Sequence, residues 1–486
     1  MIPYPSWLNT GDNAWQLTAA TLVGLMSIPG LAILYGGVVQ RRWAVNSAMM
    51  AFYGFAIVLI TWSLWGFKLS FGNPIGAIGP FSHFLGIPGP SLDHVEEQAQ
   101  ANIPLLSGIG AMPAFRFPQA SLVYFQFVFA AITPLLFLGS VVGRLNFKAW
   151  MIIVPLWSTV VYSVDAFGIW GGGWLASAGA VDYSGGYVIH LSAGVSGFVA
   201  AAVLGPRLAR DRAEPGPNNL MMTMAGAGLL WLGWNGFNGG DPYFAGADAS
   251  AAVLNTNLAA ATALLTWMTI DIFAAGKPSL VGAVNGMITG LVAITPAAGF
   301  VNGAGAIIIG VVAATIPWIT MNRVAIFRRV DDALGVVHTH GIAGLTGGLM
   351  VGLIADPQMI VYPGAGKNGA GAFSVQGLLY GNPHQFWIQL GAAAFVICWS
   401  GVGTFVVMKV VGAVVPLRMT VAQMETGDMA IHGEEVGVAI HGEEVGVAIP
   451  ALSPEPDLGT PLPGRAVAGG AMMASSTNVP PPPSRT

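Results

Sequence analysis

Apolar residues gather in long blocks separated by short polar stretches. Windows of about 20 apolar residues, the length a helix needs to cross a bilayer, fall near 17–40, 45–71, 120–142, 149–169, 185–205, 219–240, 252–274, 279–298, 301–320, 335–355 and 385–412. These eleven windows predict an all-α polytopic membrane protein with eleven transmembrane helices. Pro29, Pro134, Pro155 and Pro296 interrupt several of them, which neighbouring helices tolerate in a bundle.

The basic residues between the blocks set the orientation. One side receives Arg41, Arg42, Arg144, Lys148, Arg207, Arg210, Arg212, Lys277, Arg323, Arg328 and Arg329, while the other receives Lys68, Arg116 and Lys367. Loops rich in Lys and Arg stay cytoplasmic, so the N-terminus is expected outside and the C-terminal tail inside.

Composition agrees with the class. Of 486 residues, 54% are hydrophobic and 8% charged, against roughly 25% charged in soluble domains. The 67 glycines suit closely packed membrane helices. A net charge of −4 implies no nucleic-acid partner. Cys398 is the single cysteine, so no disulfide framework or cysteine metal site is available. Met1 to Gln16 shows neither a basic start nor a cleavage pattern, and no signal peptide is expected.

Two elements recur. Ala131-Ile132-Thr133-Pro134 in the third window returns as Ala293-Ile294-Thr295-Pro296 in the eighth, and Asp182 to His190 in the fifth matches Asp332 to His340 in the tenth. Five windows per copy is an odd number, so the second copy enters the membrane upside down. The fold expected is therefore a pair of inverted five-helix repeats plus one extra helix, a transporter design whose substrate path lies at the repeat interface. A Gly- and Pro-rich loop fills Gly72 to Pro118. Past Arg418 the character changes: Ala430 to Val438 is repeated as Ala439 to Val447, and the chain closes with Pro480 to Pro483. The transmembrane domain is expected over 1–417 and a mostly disordered cytoplasmic tail over 418–486.

His190 and His340 are the first candidates for chemistry. Ionisable residues inside a membrane are costly and usually face a pore, a partner or a cofactor. Three uses stay open for the pair: interior histidines bonded to carbonyls, bis-histidine haem ligation, or proton handling along a conduction path. Each lies about five residues into its window, roughly 8 Å deep at 1.5 Å per residue, and they enter from opposite faces. They meet only if the helix ends dip inward or tilt. His338, two positions from His340, points to another side of a helix.

Phe125, Phe129, Trp170, Trp234 and Phe237 fall near window ends. They read either as an interfacial aromatic belt or as ring faces that attract a small cation, by about 0.5–2 kcal/mol each. Asp182 is placed to stabilise a helix N-terminus. Asp241 reads as a loop acid or a lure for cations, Asp332 as part of a solvated cluster beside Arg328 and Arg329, and Asp271 as a packing acid near Lys277. No nucleotide loop, Ser-His-Asp set or paired-carboxylate hydrolase pattern is seen, and no enzyme activity is expected.

Six stretches in register resemble the Amt/Mep/Rh ammonium transporter superfamily over roughly residues 12 to 432. They are Ile28 to Gly37 (IPGLAILYGG), Phe125 to Pro134 (FQFVFAAITP), Trp170 to Gly173 with Asp182 to His190 (DYSGGYVIH), Trp234 to Gly240 (WNGFNGG), Asn285 to Gly299 (NGMITGLVAITPAAG), and Asp331 to Gly348 (DDALGVVHTHGIAGLTGG). The resemblance implies a homotrimer of eleven-helix subunits in the cell membrane, each with its own pore and no cofactor or metal. It assigns ammonium recruitment to Trp170, Phe129, Gln126 and Asp182, the pore gate to Phe129 and Phe237, and the pore histidines to His190 and His340. Methylammonium is the implied substrate analogue.

A bare cation is costly to bury, so ammonium is expected to give up its proton and cross as ammonia, with net charge uptake if the proton follows. An ammonium sensor and an Rh-like electroneutral gas channel are the alternatives. Two departures from the family stand out. Asp241 occupies a recruitment position where many members carry serine, which is expected to strengthen recruitment. Glu425, Gly427, Asp428 and His432-Gly433-Glu434 resemble a regulatory segment with irregular spacing, which bears on contact with a P-II-type regulator at the cytoplasmic face.

Overall fold

The computed structural model describes residues 5–78, 81–108, 112–213, 216–362 and 373–436. Lys367 and the tail repeat from Ala439 onward lie outside them. Helix dominates. Nine helical runs among the described residues are long and apolar enough to cross a membrane: Thr10–Val38, Arg41–Phe71, Gln119–Val141, Phe147–Ser177, Gly186–Leu204, Ala247–Ala275, Gly303–Arg323, Val337–Ile354 and Pro383–Gly412. The other two windows are helical as well, over Leu220–Gly239 and Leu280–Ile294. In chain order these become runs six and eight. The eighth stops short of its expected end at 298, giving way at Thr295 to turns that carry the chain past Pro296. Two short hairpins, Ala77–Ile78 with Phe81–Ser82 and Ile360–Val361 with Phe373–Ser374, are the strand pairs among the described residues.

Polar residues at the ends of the apolar windows start the helices. Asn9, Asn146, Asn219, Ser279 and Asn302 each accept a backbone N–H of the first turn, satisfying donors with no intrahelical partner. Five runs contain a π-helical turn, in which the backbone bonds five residues back: Met26–Gly30, Trp62–Gly66, Ser158–Tyr162, Gly186–Leu191 and Val337–Ile342. The first holds Pro29, and the third follows Pro155 closely. The last two carry the histidines, and such turns concentrate at functional sites.

The fifth and tenth runs cross inside the bundle through glycine. A Cβ built on Gly194 would collide with the Gly341 backbone, and one on Gly344 would lie 2.5 Å from the Gly186 carbonyl oxygen. The segment leading into the fifth run is folded inward: Asp182 and Ser184 are buried. That helix end therefore dips below the surface, which helps the two histidines to meet.

The compact unit runs from Met1 to Val438, so it includes residues placed at the start of the tail. Thr420 and Gln423 form a reciprocal cap on Val421–Thr426, and Asp428–His432 follows after Gly427, whose φ is 82°. Asp428 accepts the backbone N–H groups of Val45 (2.8 Å) and Asn46 (3.0 Å). His432 Nε2 lies 3.0 Å from Asn46 Oδ1. Arg42 and Arg210 both donate to the Glu425 carbonyl. The segment is held by polar contacts to arginines and to the start of the second run, and by Met424, which is buried in the hydrophobic core.

Candidate functional site

The two Asp-x7-His elements have the same local build. The Asp182 carboxylate accepts four successive backbone N–H groups: Gly185 (3.0 Å) and Gly186 (2.6 Å) at Oδ1, Tyr187 (2.8 Å) and Val188 (3.0 Å) at Oδ2. Gly185 turns the chain at φ 111°, a left-handed conformation that glycine adopts without Cβ strain. Burial pushes the Asp182 carboxyl up to about 6, against those four donors. Asp332 repeats the motif more weakly, accepting Val337 N–H at 2.8 Å. It is therefore a helix cap rather than a member of a solvated cluster, and the ion pair beside it joins Asp331 to Arg207 at 2.7 Å. Asp271 accepts the Trp318 indole N–H at 2.8 Å and has no ion pair with Lys277 among the described residues.

Each capped turn ends in a histidine, and the two rings meet. His190 Nδ1 and His340 Nδ1 lie 3.2 Å apart with rings 21° from parallel. His190 is fully buried and its Nε2 has no partner among the described residues, while His340 is 6% exposed. Above the pair, the Phe237 ring centroid is 5.9 Å from His190, and Phe129 stacks on Phe237 at 4.4 Å. Trp170 stands edge-on to Phe129 at 6.1 Å and donates its indole N–H to the Asp182 carbonyl at 2.7 Å. Trp234 stacks on His190 at 5.3 Å, fixed by an indole bond to Thr295 Oγ1 at 2.8 Å. Phe125, Phe129, Trp234 and Phe237 are buried inside the bundle, and Trp170 is half-buried. The interfacial belt expected of these rings is thus overturned for the four buried ones: they line a track toward the histidines.

The remaining expected residues stand at one end of that track. Ser184 Oγ touches both Asp241 and the Phe237 carbonyl, so it joins the acid to the ring stack. Burial holds the Asp241 carboxyl well above the usual carboxylate range, and Asp182 adds to the rise. Gln126 is buried and donates to the Tyr243 hydroxyl at 2.8 Å, which anchors the segment after Asp241. Sequence reasoning overlooked Ser184 and Thr295 as site residues, although the repeated Ala-Ile-Thr-Pro element already marked Thr295. It also overlooked Asp165, a fully buried acid that accepts the Ser400 hydroxyl at 2.9 Å, off the aromatic track.

At the other end the track opens. A cavity of about 710 Å³ on the arginine-rich face reaches His340 and His338 and is walled by Tyr35, Arg207, Asp331 and Asp332 among others. A stacked aromatic pair, two touching imidazoles and a wide cavity thus follow one another through a bundle of apolar helices. That arrangement is a polytopic helical membrane protein with two buried imidazoles between an aromatic stack and a cavity. The family follows from comparison: the Ammonium Transporter Family matches residues 14–436, and the chain belongs to it. It is 51% identical over 439 residues to "Ammonium transporter 2" of Arabidopsis thaliana, covering 89% of each chain. Mep2 of Candida albicans, known from a crystal structure, superposes with a TM-score of 0.73 at 29% identity, over 86% of this chain and 88% of that one. A solved "Sensor Amt Protein" shares the fold at a TM-score of 0.71 and 23% identity, covering 86% and 97%.

Proposed function

We propose that this chain conducts ammonia derived from ammonium, with net uptake of charge. Ammonium is recruited where Trp170, Phe129 and the Ser184–Asp241 contact converge, and Asp182 holds that mouth in shape. It passes the Phe129–Phe237 stack and gives up its proton before the apolar constriction, because a bare cation there is costly. Ammonia then crosses past His190 and His340 into the cavity, while the proton moves through the imidazole pair and water. Potassium has no proton to give up and is excluded.

The observation that carries this is the 3.2 Å contact between the two Nδ1 atoms at the one polar constriction of the track. One nitrogen must donate and the other accept, so the pair is already a proton-transfer contact. The subunit is taken to have eleven spans, with runs six and eight counted, an outer N-terminus and an inner C-terminal segment, and to assemble as a homotrimer in the cell membrane.

The test is current recorded from proteoliposomes on a solid support, with ammonium, methylammonium and potassium. Ammonium-evoked current that excludes potassium is expected, with loss of at least about tenfold when His190 or His340 is replaced by alanine. Equal potassium current would sink the proposal. Uptake without current would move the protein to the electroneutral channels.

A further inference from the structure

His338 is a third histidine in the same π-helical turn as His340, and the conduction path leaves it unused. It lies on the wall of the arginine-side cavity together with His340. Its surroundings settle which nitrogen carries the hydrogen. His338 Nδ1 is 3.0 Å from Thr320 Oγ1, and the Thr320 hydroxyl donates its single proton to the Pro317 carbonyl at 3.0 Å. Thr320 Oγ1 can then only accept, so Nδ1 bears the hydrogen and the neutral ring keeps its lone pair on Nε2. The ring is further held edge-on against Phe327 at 5.1 Å. Nε2 has no protein partner among the described residues and, unlike Nε2 of His190, is not sealed from solvent.

Of the neighbouring titratable groups, Asp332 accepts Val337 N–H at Oδ2 and has no hydrogen-bond partner at Oδ1 among the described residues, while Asp331 is paired with Arg207. Tyr35 donates its hydroxyl to the Leu135 and Leu136 carbonyls. Arg323, on the run that carries Thr320, stacks over Trp318. Arg328 and Arg329 follow Phe327 and line the same cavity. The fifth run brings His190 and Tyr187, while runs eight and ten add no titratable side chain beyond the histidines.

We propose that His338 is the proton-exchange residue of the cavity: its Nε2 accepts a proton from cavity water beside His340 and returns it to ammonia, so that ammonium re-forms there. Only N–H and O–H bonds change. The proton arrives at Nε2, the imidazolium keeps its Nδ1–H on Thr320, and the proton leaves from Nε2 to the ammonia nitrogen. This rests on the transport function proposed above.

The test uses the full chain in proteoliposomes, as wild type, His338→Ala and His338→Gln, with ammonium-evoked current recorded at several pH values on the cavity side. Glutamine keeps an amide near the Nε2 position and most of the volume but exchanges no proton. Both variants are expected to carry about tenfold less current and to lose the wild type's dependence on cavity-side pH. Imidazole supplied on that side is expected to restore His338→Ala. Wild-type current and pH profile in His338→Gln, or loss in both variants with no rescue of His338→Ala by imidazole, overturns the inference. Wild-type protein that gives no ammonium-evoked current overturns the transport function itself, and this inference with it.

Discussion

His190 and His340 touch through their Nδ1 atoms at 3.2 Å although each enters the bundle from its own capped turn. The contact depends on how closely the fifth and tenth runs approach, and that depends on two glycines of unequal importance. A methyl on Gly194 would collide with the Gly341 backbone, whereas a methyl on Gly341 would meet Gly194 Cα at 3.2 Å. Gly194→Ala is therefore expected to separate the histidines and abolish ammonium current. Gly341→Ala should keep more than half of the current, because a few tenths of an ångström of relaxation suffice. Currents measured side by side decide the point, and equal effects of the two would refute the crossing as its cause.

Asp182 and Asp332 differ in how many backbone donors they serve. Asp182→Ala leaves four buried N–H groups unpaired, while Asp332→Ala frees the one at Val337. The expected losses are more than about 2 kcal/mol for Asp182→Ala and about 1 kcal/mol for Asp332→Ala. Thermal unfolding of the purified proteins in detergent reads the order directly.

Asp241 responds to pH in a direction set by its burial. Ser184 has one hydroxyl proton and two oxygen neighbours, Asp241 and the Phe237 carbonyl. When Asp241 is protonated it donates to Ser184, which donates onward to Phe237. Because burial holds the carboxyl well above the ordinary range, its charge appears only as the outer pH rises. Apparent affinity for ammonium is expected to tighten as the outer pH rises in the wild type and to stay flat in Asp241→Asn. Concentration series at each pH provide the check, and parallel slopes in the two proteins would count against a role in recruitment.

Docking of the segment from Val421 to His432 is also linked to pH. Burial raises the Asp428 carboxyl from 3.8 to about 7, so the docked state holds a proton that the undocked state releases. That contribution is complete below 3.8 and is lost as pH climbs through about 7. His432, pushed below 6.5 by burial, acts in the opposite sense and favours docking as pH rises. Asp428→Asn isolates the two. Hydrogen exchange, corrected for intrinsic rates, is expected to show protection growing with pH in the variant and offset in the wild type.

Much of the molecule is legible in the residues alone. Window length and hydropathy mark the helices because a bilayer demands about 20 apolar residues per crossing. The repeated Asp-x7-His spacing marks both histidines because a cap and the turn it starts are local. Asp182 as a helix cap is a sequence-level inference for the same reason. The fate of Asp332 was not legible: charge clustering with Arg328 and Arg329 is a plausible pattern, and only the fold shows Val337 N–H taking the carboxylate instead.

The chain by itself determined the class, the helical windows and the candidate pair, since these follow from hydropathy and spacing over a few turns. Tertiary structure decided that the pair meets. Counted along straight helices the histidines lie at separate depths, and π-helical turns, an inward-dipping helix end and a glycine crossing join them. It also decided that Trp234 and Phe237 stack on His190 rather than lie at the membrane interface, and that Ser184 links Asp241 to the Phe237 carbonyl. Those contacts join residues about 50 to 150 positions apart, and no periodicity in a sequence encodes which faces of two distant helices will touch.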